Sequence, residues 1–176
     1  MSKIKLDLNS EQNILNMLME SSSISEDQMT KINSTSSEIG KTKLETAIEL
    51  NFTDEKKIQK ILSNNYSLEL ITLEKKVIDP KIKKIIDLRY IKDNLLVPFE
   101  MSGGVLKIAI ADASKLGLMK NLKTMTKMEP ELYAATITDI SEFIERMSKQ
   151  DAQKISSANV KVEKVEKNKD ELIEVE

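Results

Sequence analysis

The sequence predicts an α+β fold in which a small N-terminal helical bundle precedes a β-α-β-β-α-β-α sandwich. Two observations carry this prediction. Over residues 1–65, apolar residues recur at helical spacing in four segments, most of them preceded by a polar capping residue. From about residue 66 onward, short alternating apolar runs alternate with further helical patterns around a Gly-Gly turn.

Capping residues indicate where the first two helices begin. Asn9 with Gln12, and Ser25 with Gln28, have the spacing of a capping box, in which two side chains satisfy free backbone amides of the first turn. The small polar run at 33–40 predicts that the second helix loosens before it ends.

The third and fourth helices repeat the plan of the first two. A helix is predicted over 41–50, Asn51 ends it, and Thr53 is expected to cap the next helix. Each half of residues 1–65 is therefore predicted to consist of a helix, a short break, a polar capping residue and a second helix. We interpret residues 1–65 as a helical subdomain of two helical hairpins.

The sandwich is predicted over residues 66–148. A strand is expected over 66–73, and a helix is expected to begin at Asp79 and Pro80, because proline suits the first helical position. The segment LLVPFEMSGGVLKIAIAD then predicts two strands, and Gly103 and Gly104 provide the positive φ of a tight connection. Because Pro98 lacks an amide, the first of these strands is expected at an edge or with that position facing outward.

The second half of the sandwich follows the same reasoning. Asp112 and Ser114 are the cap candidates for a helix whose apolar residues lie three apart over 116–125. The run 131–136 predicts a strand, and Thr138 is expected to cap the closing helix. Residues 149–176 have dense charge and no aromatic side chain, which predicts a flexible charged linker or, alternatively, a transient strand at VKVEKVEK.

Composition excludes several kinds of chemistry. The chain has no Cys and no His, and this removes thiolate and imidazole ligands and the usual general base. Its four Gly cannot form a GxxxxGK[ST] or GxGxxG loop, and a net charge of -2 leaves no large basic field for nucleic acid. We expect no catalytic, metal or cofactor site. Carboxylate chemistry stays open, with Asp112 as its best candidate, although a helix cap is the preferred interpretation of that residue.

Four segments carry a family resemblance. YSLELITL, IDPKIKKII, LLVPFEMSGGVLKIAIAD and TITDISEFIERM resemble the N-terminal domain of type II secretion and type IV pilus assembly ATPases, known as the MshEN domain. The resemblance covers about residues 13–147. It implies that a linker and a hexameric motor follow this domain. Because the chain has no Walker motif, we expect it to be the N-terminal region of a longer protein in preference to a stand-alone relative.

The resemblance implies one of two functions. The first is a non-catalytic docking and regulatory domain that couples the motor to inner-membrane platform components. The alternative is a cyclic di-GMP-binding regulatory domain, which in this family uses an Arg-Leu-Gly motif in each helical repeat. Here the second repeat has Lys43, Leu44 and Glu45 at those positions, and the first has residues 13–15, Asn-Ile-Leu. With both Arg and both Gly replaced, we expect weak or no binding.

The expected partners follow from the same resemblance. They are an inner-membrane or cytoplasmic component of the pilus or secretion machinery and, where the chain continues, an ATPase domain in cis. We expect a cytoplasmic location that is peripheral to the inner membrane through these partners, with no nucleic acid and no direct membrane insertion. The sequence shows no apolar run of transmembrane length.

Overall fold

A computed structural model describes residues 6–170 of the chain, with side chains described through residue 155. It confirms the mixed α and β class. Four helices come first, followed by a four-stranded mixed sheet with further helices. The helices are α1 Leu8–Glu20, α2 Glu26–Ile39, α3 Lys43–Glu49, α4 Glu55–Tyr66, α5 Ile82–Ile85, α6 Leu88–Asn94, α7 Met119–Thr126 and α8 Ile137–Asp170.

The sheet has the strand order β1-β4-β3-β2. Its strands are β1 Glu69–Leu70, β2 Leu96–Ser102, β3 Val105–Ile110 and β4 Glu129–Ala134. β2 and β3 form an antiparallel hairpin, whereas β4 runs parallel to both β3 and β1. The parallel β3–β4 connection needs a crossover, and a 3₁₀ helix (Ala113–Leu118) with α7 provides it.

The central hairpin forms as predicted. Gly103 and Gly104 both have positive φ, at 56° and 81°. Pro98 lies on the edge strand β2, beside a shift in the β2–β3 register. On β3, Leu106 and Ile108 are fully buried and make this strand the centre of the core.

Two of the predicted caps in the first four helices are wrong. Asp7, rather than Asn9, caps α1 by accepting a hydrogen bond from the Ser10 amide. Asp54, rather than Thr53, caps α4, since its carboxylate accepts from the Lys57 amide. In both cases the residue that takes the extended conformation lies one or two positions away from the one predicted.

The prediction that α2 loosens over 33–40 is also wrong, because α2 continues to Ile39. The serine hydroxyls of this run donate to helix carbonyls and do not interrupt the helix; Ser36 and Ser37 both donate to the Asn33 carbonyl oxygen. Gly40, in the left-handed conformation, then ends the helix. The Ser25 and Gln28 capping box forms as predicted.

Three elements of the sandwich differ from the prediction. The strand expected over 66–73 is only two residues long, because α4 continues to Tyr66 and ends at Ser67 in the left-handed conformation. The helix expected at Asp79 and Pro80 is divided into α5 and α6, since Ile86 is extended. Thr136, rather than Thr138, holds the first turn of α8 by accepting from the Asp139 amide.

The described chain divides into two compact units, one ending at Ile144 and one beginning at Glu145. In the first unit, α1 packs on the 3₁₀ helix and α4 packs on β1 and β4. Helices and sheet therefore share this unit. All four strands follow residue 65, but helices lie on both sides of it, and the subdomain boundary predicted there stays a prediction.

The second unit contains the helical segment from Glu145 to Asp170. The segment 149–176, expected to be a flexible charged linker or to form a transient strand at VKVEKVEK, is helical through Asp170, and residues 171–176 lie outside the described part. No Pro or Gly follows Pro130, so nothing in the sequence breaks the helix. A Glu145–Lys149 ion pair of 2.9 Å at i,i+4 spacing supports it. The role of this segment as a linker stays a prediction.

Candidate functional site

An open groove of about 720 Å³ lies beside the positions predicted from the family's ligand motif, and Leu15 and Lys43 are the two of them that line it. The first turns of α1, the last turn of α2 and residues 40–43 at the start of α3 line it. Gly40 permits the reversal that brings α3 against α1 at this point. The groove is therefore built by the connection between the two halves of the helical repeat.

The second-repeat positions Lys43, Leu44 and Glu45 occupy the first turn of α3. Only Lys43 lines the groove. The Leu44 side chain is buried, and its amide donates to Glu11 Oε1 at 2.9 Å. Glu45 closes a capping box, because its Oε2 accepts from the Thr42 amide at 3.0 Å. Two of the three positions are thus committed to the structure of the helix start.

The first-repeat positions also have structural roles. Ile14 and Leu15 are buried core residues of α1. Asn13 Oδ1 accepts a hydrogen bond from the Ala113 amide at 3.0 Å, which ties α1 to the 3₁₀ helix. Of this triplet only Leu15 borders the groove. One residue of each triplet, Leu15 and Lys43, therefore lines the groove, and the use of these positions for a ligand stays a prediction.

The charges near the groove do not favour a phosphate. Glu11 lines the groove, and its carboxylate accepts a hydrogen bond from the Leu44 amide at the start of α3, where the helix dipole favours an anion. Lys41 is paired with Glu49 and so has a partner within the chain. Lys43 is the other cation among the lining residues. A negatively charged ligand at the start of α3 would lie beside the Glu11 carboxylate, which already accepts from the Leu44 amide.

Asp112 is buried and acts as a cap. Its Oδ1 accepts from the Ser114 amide at 2.9 Å and also from the Ser114 hydroxyl. Its exposed fraction is 1%. This geometry uses the carboxylate to start the 3₁₀ helix, and the capping interpretation of Asp112 is confirmed.

Sequence reasoning missed a polar cluster beside this cap. Lys115 is almost fully buried, and its Nζ donates to Asp7 Oδ2 at 2.9 Å. Burial disfavours the charge of Asp7, but the bonds from the Ser10 amide and from Lys115 outweigh it and lower the pKa of this carboxyl. The Asp-x-x-Ser spacing of residues 7–10 was the available signal for the cap, whereas nothing local marks Lys115 as buried.

We predict that this cluster stabilises the fold in a pH-dependent way. Asp7→Ala should lower the free energy of unfolding by about 1 kcal/mol at neutral pH, because it removes a helix cap. Asp7→Asn keeps the cap and removes only the ion pair, so its loss should be smaller. The pKa of Asp7 is lowered in the fold, so its contribution is present above the ordinary value of 3.8 and disappears as the pH falls through the folded value.

Urea unfolding of the three proteins at neutral and strongly acidic pH measures this effect. The difference between the original chain and Asp7→Asn should vanish in acid. A difference that persists unchanged at acidic pH would contradict the ionic role of Asp7.

Two kinds of site are absent from the described part of the chain. Among the side chains described in residues 6–155, no group of three or more Asp or Glu is placed to hold a metal ion. Among residues 6–170, no helix is long and apolar enough to cross a membrane.

Comparison with known proteins identifies the class. The model of the MshEN domain matches residues 66–154. The type IV pilus assembly ATPase PilB of Myxococcus xanthus is 30% identical over 93 residues, which are 53% of this chain and 16% of PilB. The match thus spans a small part of that relative.

Solved structures agree on the fold. MshE, solved with cdg, aligns with a TM-score of 0.56 at 21% identity over 76% of this chain and 96% of that one. The N-terminal domain of XpsE aligns with a TM-score of 0.55 at 20% identity over 81% and 98%. Fold and sequence define an N-terminal domain of the type found in type II secretion and type IV pilus assembly ATPases. The chain belongs to the MshEN domain family.

Proposed function

We propose that this chain is a non-catalytic docking and regulatory domain that couples a pilus or secretion motor to inner-membrane platform components. The observation that carries the proposal is the family match over residues 66–154, which includes the whole sheet. The similarity to PilB lies in a segment that is 16% of that ATPase, and this chain lacks a GxxxxGK[ST] loop. An ATPase domain in cis is the expected partner for such a module.

A docking function also suits what the described residues offer. The buried Asp112 carboxylate serves as a cap, and no metal-binding cluster lies among the side chains described in residues 6–155. A rigid sheet joined to capped helices supplies fixed surfaces instead of reactive groups. We propose that these surfaces hold the domain on the cytoplasmic side, peripheral to the inner membrane through its partners, with no nucleic acid and no cofactor.

Affinity capture tests the docking proposal. The full chain is immobilised and exposed to each purified inner-membrane platform component of a type IV pilus and of a type II secretion system. We expect one of these components to be retained. Asp112→Asn serves as a control variant, because asparagine also caps helices and this buried residue should not touch a partner. Failure of every platform component to bind would contradict the proposal.

The second candidate function is cyclic di-GMP binding, and one comparison favours it, because the similar MshE was solved with cdg. Against it stand the roles of Leu44, which is buried, and of Glu45, which caps α3. Arginine binds phosphate through a planar fork that Lys43 does not reproduce. We therefore keep the docking function as the conclusion.

We predict that calorimetric titration of the chain with cyclic di-GMP shows weak or no binding. The physical reason is that the motif positions lack Arg and Gly and carry the Glu45 carboxylate. MshE, titrated under the same conditions, is the positive control. A submicromolar dissociation constant for this chain would contradict the prediction and favour the second-messenger function.

A further inference from the structure

Charge is concentrated in residues 75–92, called here the basic segment. It contains seven basic and two acidic residues, a net charge of +5 in a chain whose net charge is -2. Glu74 and Asp93 border it. The basic residues are Lys75, Lys76, Lys81, Lys83, Lys84, Arg89 and Lys92.

The fold places this segment at one edge of the sheet. Both α5 and α6 pack on β2, which is an edge strand. Ile82 on α5 and Ile91 on α6 are buried, as is Ile86 between the two helices. Lys84, Arg89 and Lys92 are exposed on the same two short helices. The result is a positively charged border along β2.

Most of these cations have no counter-ion in the described part of the chain. Lys75, Lys81, Lys84, Arg89 and Lys92 are exposed and make no ion pair with any described residue.

The two acidic residues of the segment offset only part of its positive charge. Asp79 accepts from the Lys81 amide at 2.8 Å, and Asp87 accepts from the Arg89 amide at 2.6 Å. Both carboxylates keep their negative charge, and the segment is left with a net charge of +5.

One apolar side chain of the basic segment is exposed to solvent. Val77 is 84% exposed. Its neighbours are both anchored: Ile78 is buried, and Lys76 Nζ lies 3.8 Å from Glu100 Oε2 and 5.4 Å from the centre of the Phe99 ring. Val77 is thus exposed between a buried isoleucine and a lysine that contacts Glu100 and Phe99.

We propose that the basic segment binds the surface of an anionic membrane, with Val77 entering the headgroup region. Six of its seven cations are lysines, which act as hydrated point charges and suit a diffuse array of phosphates better than a bidentate acidic partner. An exposed apolar residue among cations is the pattern of interfacial binding. No spanning helix is needed, and none is found in residues 6–170. This contact would add a direct lipid attachment to docking through partners.

Vesicle sedimentation tests the proposal with the full chain. Vesicles of phosphatidylcholine alone are compared with vesicles of equal parts phosphatidylcholine and phosphatidylglycerol. We expect binding to the anionic vesicles only, falling as salt is raised. The triple variant Lys81→Glu, Lys84→Glu, Arg89→Glu should bind at least about tenfold more weakly, since each cation near such a surface contributes. Val77→Ser should weaken binding without changing its salt dependence.

The matched control is Lys56→Glu, Lys57→Glu, Lys60→Glu, which makes the same change of charge on exposed lysines of α4. This variant should retain binding, and circular dichroism should show all variants folded. Equal loss in both triple variants would overturn the proposal in favour of a general charge effect. Binding to polyglutamate without binding to anionic vesicles would overturn it in favour of an acidic protein partner. Neither result would affect the docking proposal, which is measured on purified platform components.

Discussion

Replacing Leu106 with alanine is expected to lower the free energy of unfolding by about 2–5 kcal/mol. Leu106 is fully buried on β3, which is hydrogen-bonded to β2 on one side and to β4 on the other. The change removes apolar area from the core and leaves a cavity that the paired strands cannot easily fill. Because β3 joins the hairpin to the parallel part of the sheet, the loss should affect the whole first unit.

Chemical denaturation followed by circular dichroism measures the free energy of unfolding of the original chain and of Leu106→Ala. Met125→Ala is the matched control, because Met125 lies half exposed on α7 and surface changes usually stay within about 0.5 kcal/mol. Similar losses for the two variants would show that Leu106 is not at the centre of the core.

The second large effect is expected for Gln59→Leu, which should lower the free energy of unfolding by about 1–3 kcal/mol. Gln59 is 5% exposed on α4, and its Nε2 donates to the Ala134 carbonyl oxygen at 2.8 Å and to that of Ile71 at 3.1 Å. Leucine has a similar size but no donor. The Ala134 oxygen keeps its bond from the Ile71 amide, whereas the Ile71 oxygen loses this partner.

Hydrogen exchange adds a readout that separates this bridge from general destabilisation. The amide of Ile71, which donates to the Ala134 carbonyl oxygen, should exchange faster in Gln59→Leu. The reason is that Gln59 no longer holds the carbonyl groups of Ile71 and Ala134 beside this bond. The adjacent variant Lys60→Ala, on the exposed side of α4, should leave this exchange unchanged. Unchanged stability and exchange in Gln59→Leu would contradict the bridging role.

Local signals predicted the features that depend on neighbouring residues. The Ser25 and Gln28 capping box, the Gly103 and Gly104 turn and the Asp112 cap all form as expected. In each case the controlling interaction spans at most three residues. The burial of Leu106 and Ile108 on either side of Lys107 was likewise evident from the sequence, although burial is continuous from Ile108 to Ile110.

The contacts that sequence reasoning missed join distant residues, whereas the misplaced caps at Asp7 and Asp54 are local errors. The Asn13 side chain meets a backbone amide 100 positions away, and the Glu55 carboxylate meets Thr138 across 83 positions. Gln59 and Lys115 become buried only after the helices have packed on the sheet. The predicted ligand positions at 43–45 were located by resemblance. The contact of Leu44 with Glu11 depends on α1 lying beside α3, whereas the cap that Glu45 forms is local to α3.

Competition in a living cell tests the docking proposal most directly. The chain is expressed in excess in a bacterium whose own pilus or secretion machine contains the matching ATPase. If the domain docks on the platform, it should occupy the motor's position and reduce pilus assembly or secretion in proportion to its level. Leu106→Ala, expressed at the same level, should compete less because its fold is weakened. Normal assembly at high levels of the folded chain would contradict the account.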